Sequence, residues 1–180
     1  RHAISKFSYY HFVSHNLYKK RLMQLGENPN SIKIVGGLGA NSISNLKLFS
    51  RIKLESLLKI SFKKKIIVIN FYPEISNIKK SMATLNKICK AVLEIKNVQC
   101  IFTIPSHDIE NDKFKTYIFK FTNKNKNYFF FKNLGQKKFL SLLKNSSLLI
   151  GNSSSGVLEM PSFGKYSINI GNRQKGRVFS

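Results

Sequence analysis

A doubly wound, mostly parallel α/β fold of Rossmann-like character is what this sequence predicts, and three observations predict it. Ile66-Ile67-Val68-Ile69 is a continuous β-branched run, as a central parallel strand covered on both faces requires. Segments with helical apolar spacing alternate with such runs along the chain. The apolar strand Leu148-Leu149-Ile150 then enters Gly151-Asn152-Ser153-Ser154-Ser155-Gly156, a small-residue turn that would open a helix at the ligand-binding edge of such a sheet.

Taken in order, Tyr9-Tyr10-His11-Phe12-Val13 suits a short buried strand, and Ser14 is placed to cap the helix that follows from Leu17 to Leu25. Leu17, Arg21 and Leu25 recur at four, and Gly26 ends the helix before Asn28-Pro29-Asn30. Ile32-Lys33-Ile34-Val35 completes a βαβ unit and runs into Gly36-Gly37-Leu38-Gly39. That cluster lacks the later glycine of a dinucleotide fingerprint, so a tight turn and a direct ligand contact both stay open. A Leu-rich helix is expected from Ile43 to Ile60, then the exposed connector Ser61-Phe62-Lys63-Lys64-Lys65.

The central run delivers Asn70-Phe71-Tyr72-Pro73-Glu74 to the carboxyl edge of the sheet. Met82, Leu85, Ile88, Val92 and Ile95 mark a helix from Ile78 to Ile95, Val98 to Ile104 a strand, and Pro105-Ser106-His107-Asp108 the loop after it. A helix over Phe114 to Phe121, an aromatic strand over Tyr128 to Phe131, and a helix carrying Phe139, Leu142 and Leu143 lead to the serine-rich turn. Beyond that turn come a short helix, the strand Tyr166-Ser167-Ile168-Asn169-Ile170 and a basic loop, Arg173-Gln174-Lys175-Gly176-Arg177. The whole, residues 1–180, reads as one domain.

Composition narrows the function classes. With 42% hydrophobic and 12% aromatic residues the chain is that of a folded protein, and no apolar run reaches the length of a membrane span. The amino terminus lacks the apolar core of a signal peptide, so the expectation is a soluble cytoplasmic protein without a membrane partner. Cys89 and Cys100 form no CxxC pair and read as buried free thiols. The net charge of +23 raises nucleic acid as a partner, but Arg occurs only at positions 1, 21, 51, 173 and 177. The lysines are scattered over most helices instead of forming a stripe, which reads as a solvated basic surface and no nucleic-acid site. Because the chain does not begin with Met, a fragment of something longer is expected.

Chemistry concentrates at the end of the chain. The Gly151–Gly156 turn offers backbone N–H groups to an anion at a helix start, and Glu159 lies one turn further, where a carboxylate can accept hydrogen bonds from sugar hydroxyls. His107 beside Asp108 admits a dyad or a plain loop histidine, with no second His at ligand spacing, so no metal is expected.

These residues carry a resemblance. Gly151-Asn152-Ser153-Ser154-Ser155-Gly156 with Glu159, Pro161-Ser162-Phe163-Gly164, Asn169-Ile170-Gly171 and the Arg173–Arg177 run resemble the carboxyl-terminal signature of the UDP-N-acetylglucosamine 2-epimerases, in particular the hydrolysing type. Arg1-His2-Ala3-Ile4, His11-Phe12-Val13-Ser14, Tyr18, Arg21, Leu25-Gly26-Glu27-Asn28-Pro29 and Val35-Gly36 look like the family's entry segment and first βα unit. The resemblance implies one half of a glycosyltransferase-B architecture. It makes 1–180 the UDP-binding carboxyl-terminal domain, with 1–8 as interdomain entry. It implies release of UDP and a 2-epimeric free sugar, as at the start of sialic acid synthesis, with no cofactor and room for a homo-oligomer in the full-length protein.

By the same resemblance Ser153, Ser154, Ser155 and Gly156 hold the diphosphate, Glu159 the ribose and Arg173 faces the cleft, with Asp108 also on the substrate. The acid and base are expected mainly from a missing half. Tyr72 stands where the family has His before Pro, and Ser106-His107-Asp108 where it has Asn-x-Asp, which leaves Tyr72 and His107 as tentative catalytic residues. A nucleotide-sugar binding protein or a glycosyltransferase of the same fold is the alternative.

Overall fold

The computed structural model describes residues 2–37, 43, 45–74, 77–104 and 112–178. Where the sequence reads as one domain, these residues sort into two compact units, Arg1–Leu46 and Lys47–Ser180, each taken by itself below.

The first unit holds helix α1 (His2–Phe7), strand β1 (His11–Val13), helix α2 (Asn16–Gln24), a 3-10 turn (Pro29–Ser31) and strand β2 (Ile32–Ile34). β1 and β2 pair in parallel from His11↔Ile32 to Val13↔Ile34, the βαβ unit that the apolar runs predict. The cap of α2 is not Ser14: the His15 ring nitrogen accepts from Leu17 N–H at 3.1 Å, one residue further on. At its other end Gly26, at φ +84, lets its own N–H reach the Met23 carbonyl and that of Glu27 reach Leu22. That crossed pair uses carbonyls the helix would leave open, and the left-handed backbone it needs suits glycine.

Glu27 then ties the unit together. Its carboxylate lies 2.9 Å from Lys6 Nζ and 3.2 Å from His11 Nε2, while Lys6 also donates to the Leu25 carbonyl at 2.6 Å. The hydrogen bond from Lys6 is the main cause that holds the Glu27 carboxyl below its ordinary range.

The second unit is a five-stranded sheet in the order β5-β4-β3-β6-β7, every neighbouring pair parallel. Its strands are β3 (Lys65–Asn70), β4 (Val98–Thr103), β5 (Tyr128–Phe131), β6 (Leu148–Gly151) and β7 (Tyr166–Asn169). Its helices are α3 (Arg51–Leu58), α4 (Ile78–Leu93), α5 (Asp112–Thr122), α6 (Gly135–Asn145) and the short α7 (Glu159–Ser162). The doubly wound parallel sheet predicted from alternating runs is therefore present.

Helix α3 is shorter than the Leu content of 43–60 suggests. Ser50 caps it by accepting from Lys53 N–H, and the described stretch 47–50 ahead of it is irregular.

One face of the sheet presents Ile67, Ile69, Cys100, Phe102 and Ile150 to Leu85, Ile88, Cys89 and Val92 of α4 and to Phe114 and Ile118 of α5. Strand alternation sends Ile66, Val68, Ile101 and Leu149 to the opposite face. Both faces of β3 and β4 are thus covered, which is why residues 66–69 and 100–102 read as apolar runs. The two thiols are buried and free, and burial pushes each up to about 12. No helix among the described residues is long and apolar enough to cross a membrane.

Candidate nucleotide-sugar site

The strand order reverses direction between β3 and β6: from β3 the chain winds outward through β4 and β5, and from β6 to β7 on the other side. At such a switch point the loops leaving the carboxyl ends of adjacent strands part and open a crevice. Asn70 and Gly151 face each other across that point, and Asn169 continues the row on β7. The three loops that follow carry Tyr72, the serine turn and Arg173.

The backbones of β3 and β6 approach so closely that a side chain at Gly151 is excluded. A Cβ there would lie 2.1 Å from the Asn70 carbonyl oxygen, with φ at +153. Gly151 is thus required by a close approach of main chains, as well as by the turn it begins.

Asn152, fully buried, joins all three loops. Its Oδ1 accepts from Tyr72 N–H at 2.7 Å and its Nδ2 donates to the Tyr72 carbonyl at 2.8 Å. Its own carbonyl accepts from Gln174 Nε2 at 2.7 Å and from Arg173 Nη1 at 3.4 Å. The Arg173 guanidinium closes the circuit, its Cζ 4.7 Å from the centre of the Tyr72 ring. A cation over an aromatic face is favourable and fixes both groups before any ligand arrives.

Burial pushes the Tyr72 phenol up, against the opposing influence of hydrogen bonding from Asn70 and Ser153 and of the Arg173 charge. Tyr72 therefore keeps its proton at neutral pH, which leaves its hydroxyl able to donate a hydrogen bond.

Ser153 begins the turn. Its Oγ accepts from Ser155 N–H at 3.2 Å, and its carbonyl accepts from Gly156 N–H at the same distance. The amides of Ser155 and Gly156 thus donate inside the turn, a 3-10 turn over Ser154–Gly156. Ser154 is half-buried and Ser155 buried. Gly156 packs against β7: its carbonyl accepts from Ser167 Oγ at 2.6 Å, and a Cβ would meet that side chain at 3.4 Å.

Glu159 opens α7, and its Oε2 is buried without a hydrogen-bond partner among the described residues. A buried carboxylate oxygen left so is costly unless donors arrive. Gln174 is in the same condition at Oε1. Glu74, not singled out from the sequence, brings a further carboxylate to the loop after β3. A Cβ on Gly171 would stand 3.6 Å from its Oε1.

The structure therefore brings together Tyr72, Ser153 and Arg173 through Asn152 and places Glu159 just beyond the serine turn. His107 and Asp108, with Ser106, lie outside the described residues. Asn152 and Gln174 were quoted from the sequence only as parts of motifs. Their partners are 80 and 22 residues away in sequence, and no local pattern announces them.

Comparison with known proteins identifies the family. The family described as UDP-N-acetylglucosamine 2-epimerase matches residues 1–179. The chain is 40% identical over 182 residues to a GDP/UDP-N,N'-diacetylbacillosamine 2-epimerase (hydrolyzing) of Campylobacter jejuni, covering 99% of this chain and 47% of that protein. A UDP-N,N'-diacetylbacillosamine 2-epimerase (hydrolyzing) of Legionella pneumophila is 31% identical over 98% of this chain and 46% of its own length. Among solved structures, the UDP-GlcNAc 2-epimerase of Neisseria meningitidis bound to UDP-GlcNAc superposes with a TM-score of 0.76 at 16% identity, over 92% of this chain and 45% of that one. The chain spans about half the length of the curated relatives it matches.

Proposed function

Because this chain belongs to the UDP-N-acetylglucosamine 2-epimerase family, we propose that it supplies the UDP half-site of a hydrolysing 2-epimerase acting on a UDP-N-acetylhexosamine. The observation that carries this reading is the Arg173 guanidinium held over the Tyr72 ring at the sheet's switch point, with the serine turn after β6 and the orphaned Glu159 oxygen that follows it in the chain. That set matches what a nucleoside diphosphate presents: anionic phosphates for the cation and hydroxyls, and ribose hydroxyls for the carboxylate.

On this reading the hydroxyls of Ser153 and Ser154, with Ser155 and Gly156 shaping the turn, face the diphosphate, and Glu159 accepts from the ribose. Arg173 stabilises the charge that grows on the departing diphosphate, an interaction stronger in the transition state than in the bound substrate. A base removes the C2 proton, the bond from C1 to the β-phosphate oxygen breaks, and its electron pair leaves with UDP. Water then adds hydroxyl at C1 and a proton at C2 from the face that inverts that carbon. Tyr72 donates a hydrogen bond at the mouth, Asp108 contacts substrate, and the base and acid are carboxylates contributed mainly by residues outside this chain. The names of the relatives support the hydrolysing type, and the proposal extends to a place in the synthesis of sialic-type sugars in the cytoplasm.

The test is the product. The full-length protein incubated with a UDP-N-acetylhexosamine should yield UDP and a free sugar epimeric at C2 by NMR. A 2-epimer still joined to UDP would overturn the hydrolysing assignment, and absence of any UDP binding would overturn the site.

A further inference from the structure

Among the groups around the switch point, Asn152 is the one with bonds to every loop and no surface of its own. We propose that Asn152 is the positioning residue of this site, and that its carboxamide, by gripping both main-chain polar groups of Tyr72, sets Tyr72 and Arg173 against each other. The proposal rests on the reading of the cleft as a UDP-sugar site, and deepens it by naming what pre-organises that site.

Only a carboxamide can do this. The Tyr72 N–H needs an acceptor and the Tyr72 carbonyl needs a donor, and Asn152 meets them with Oδ1 at 2.7 Å and Nδ2 at 2.8 Å. An aspartate in its place would accept from the N–H but turn a second oxygen on the carbonyl. A leucine would leave both groups bare inside the protein. The backbone of Asn152 is committed as well: its N–H faces the Asn70 carbonyl at 3.3 Å, and its carbonyl holds Gln174 and Arg173. One residue therefore sets the distance between the loop after β3 and the loop after β7.

The consequence lies in Arg173. That side chain is exposed, and an exposed arginine left to itself samples many rotamers, each lost on binding. Here the Asn152 carbonyl takes Nη1 and the Tyr72 ring takes the cationic face, so the guanidinium waits in place. Pre-ordering of this kind raises affinity by cutting the entropy lost on association. Gln174 shows that the arrangement is built in: it is 2% exposed, its Nε2 donates to Asn152, and its Oε1 has no partner among the described residues, so the burial of the side chain serves that bond.

The experiment is a double-mutant cycle on UDP affinity in the full-length protein, with calorimetry as readout. Arg173→Ala should weaken UDP binding about tenfold on the native background, the loss of one charge-assisted contact. On the Asn152→Ala background it should weaken binding less than about threefold, because the arginine there is already released. Equal losses on both backgrounds, the behaviour of a residue that merely supports the fold, would overturn the proposal.

Gln174→Met covers the case in which Asn152→Ala fails to fold. It keeps volume, removes a donor to the Asn152 carbonyl, and should show the same non-additivity with Arg173→Ala in weaker form; additivity there would equally overturn the proposal. A second readout needs no ligand. The ionisation of Tyr72, isolated by ultraviolet difference against Tyr72→Phe, should fall towards that of an exposed tyrosine in Asn152→Ala and, less, in Gln174→Met. An unmoved Tyr72 midpoint in both would sink the positioning role even if wild-type protein bound no UDP, a result that by itself would strike only at the reading of the cleft.

Discussion

The two units contrast in how they bury apolar surface. In Lys47–Ser180 the central strands are enclosed on both sides, and Val68, Ile101 and Phe102 have no exposed surface at all. In Arg1–Leu46 the strands are also parallel, yet Phe7 is 93%, Phe12 68% and Ile34 51% exposed. A parallel pair with bare aromatic side chains is unusual, because parallel sheets occur with both faces covered. Sequence pattern does not distinguish the two cases. Tyr9 to Val13 is as apolar as a core strand, and what differs is the number of neighbours the chain provides for it.

The contrast makes predictions, and the largest concerns autonomy. Residues 47–180 produced alone should show one cooperative denaturant transition with native far-UV dichroism. Residues 1–46 alone should show none, since two strands and short helices cannot exclude enough water. A cooperative transition in 1–46 would break the comparison.

A paired substitution sharpens it. Phe102→Ala, on β4 in the core cluster, should cost about 3–5 kcal/mol of stability, whereas Phe12→Ala on β1 should stay within about 0.5 kcal/mol, both read from denaturant midpoints.

The smallest effect is a pH dependence confined to the first unit. Glu27 is held below its ordinary value of 4.5, chiefly by the hydrogen bond from Lys6, so the unfolded chain binds more protons than the folded one as the pH falls. Its contribution is complete above about pH 4.5 and fades as the pH drops through the folded value. Hydrogen exchange at Gly26 and Glu27 should accelerate over that window and hold steady in Glu27→Gln. The same acceleration in the variant would assign it elsewhere.

These contrasts also show what local sequence can carry. Apolar runs identify β3, β4 and β6 because a strand covered on both faces is mostly apolar, although Gln99 and Thr103 are also buried in β4. Helical spacing finds α4 and α5 within a few residues of their ends. The expected helix over 43–60 is interrupted, with Ile43 and Asn45 helical and 46–50 not, because Leu46, Leu48 and Phe49 satisfy an apolar pattern that the Ser50 cap breaks. The cap of α2 falls on His15 instead of Ser14 because an imidazole nitrogen accepts as well as a hydroxyl. Within the site, Ser153, Glu159 and Arg173 belong to dense motifs near one another in sequence. Tyr72 stands out only through resemblance, and the bond network that joins it to Arg173 depends on tertiary geometry that no local pattern encodes.

The grip of Asn152 at one end and Arg173 at the other has a bearing on how this protein can be altered. The segment 153–172 that separates the two acts as a ruler, holding β7 and both flanking turns between fixed marks. One residue added or removed along that ruler would carry the guanidinium off the Tyr72 ring while every strand still formed. Such a molecule would pass ordinary inspection as folded, and would bind the proposed UDP ligand about as weakly as Arg173→Ala does. Grafts, tags and loop exchanges therefore belong elsewhere, with the exposed turn at Asn123–Asn127 a tolerant place to begin.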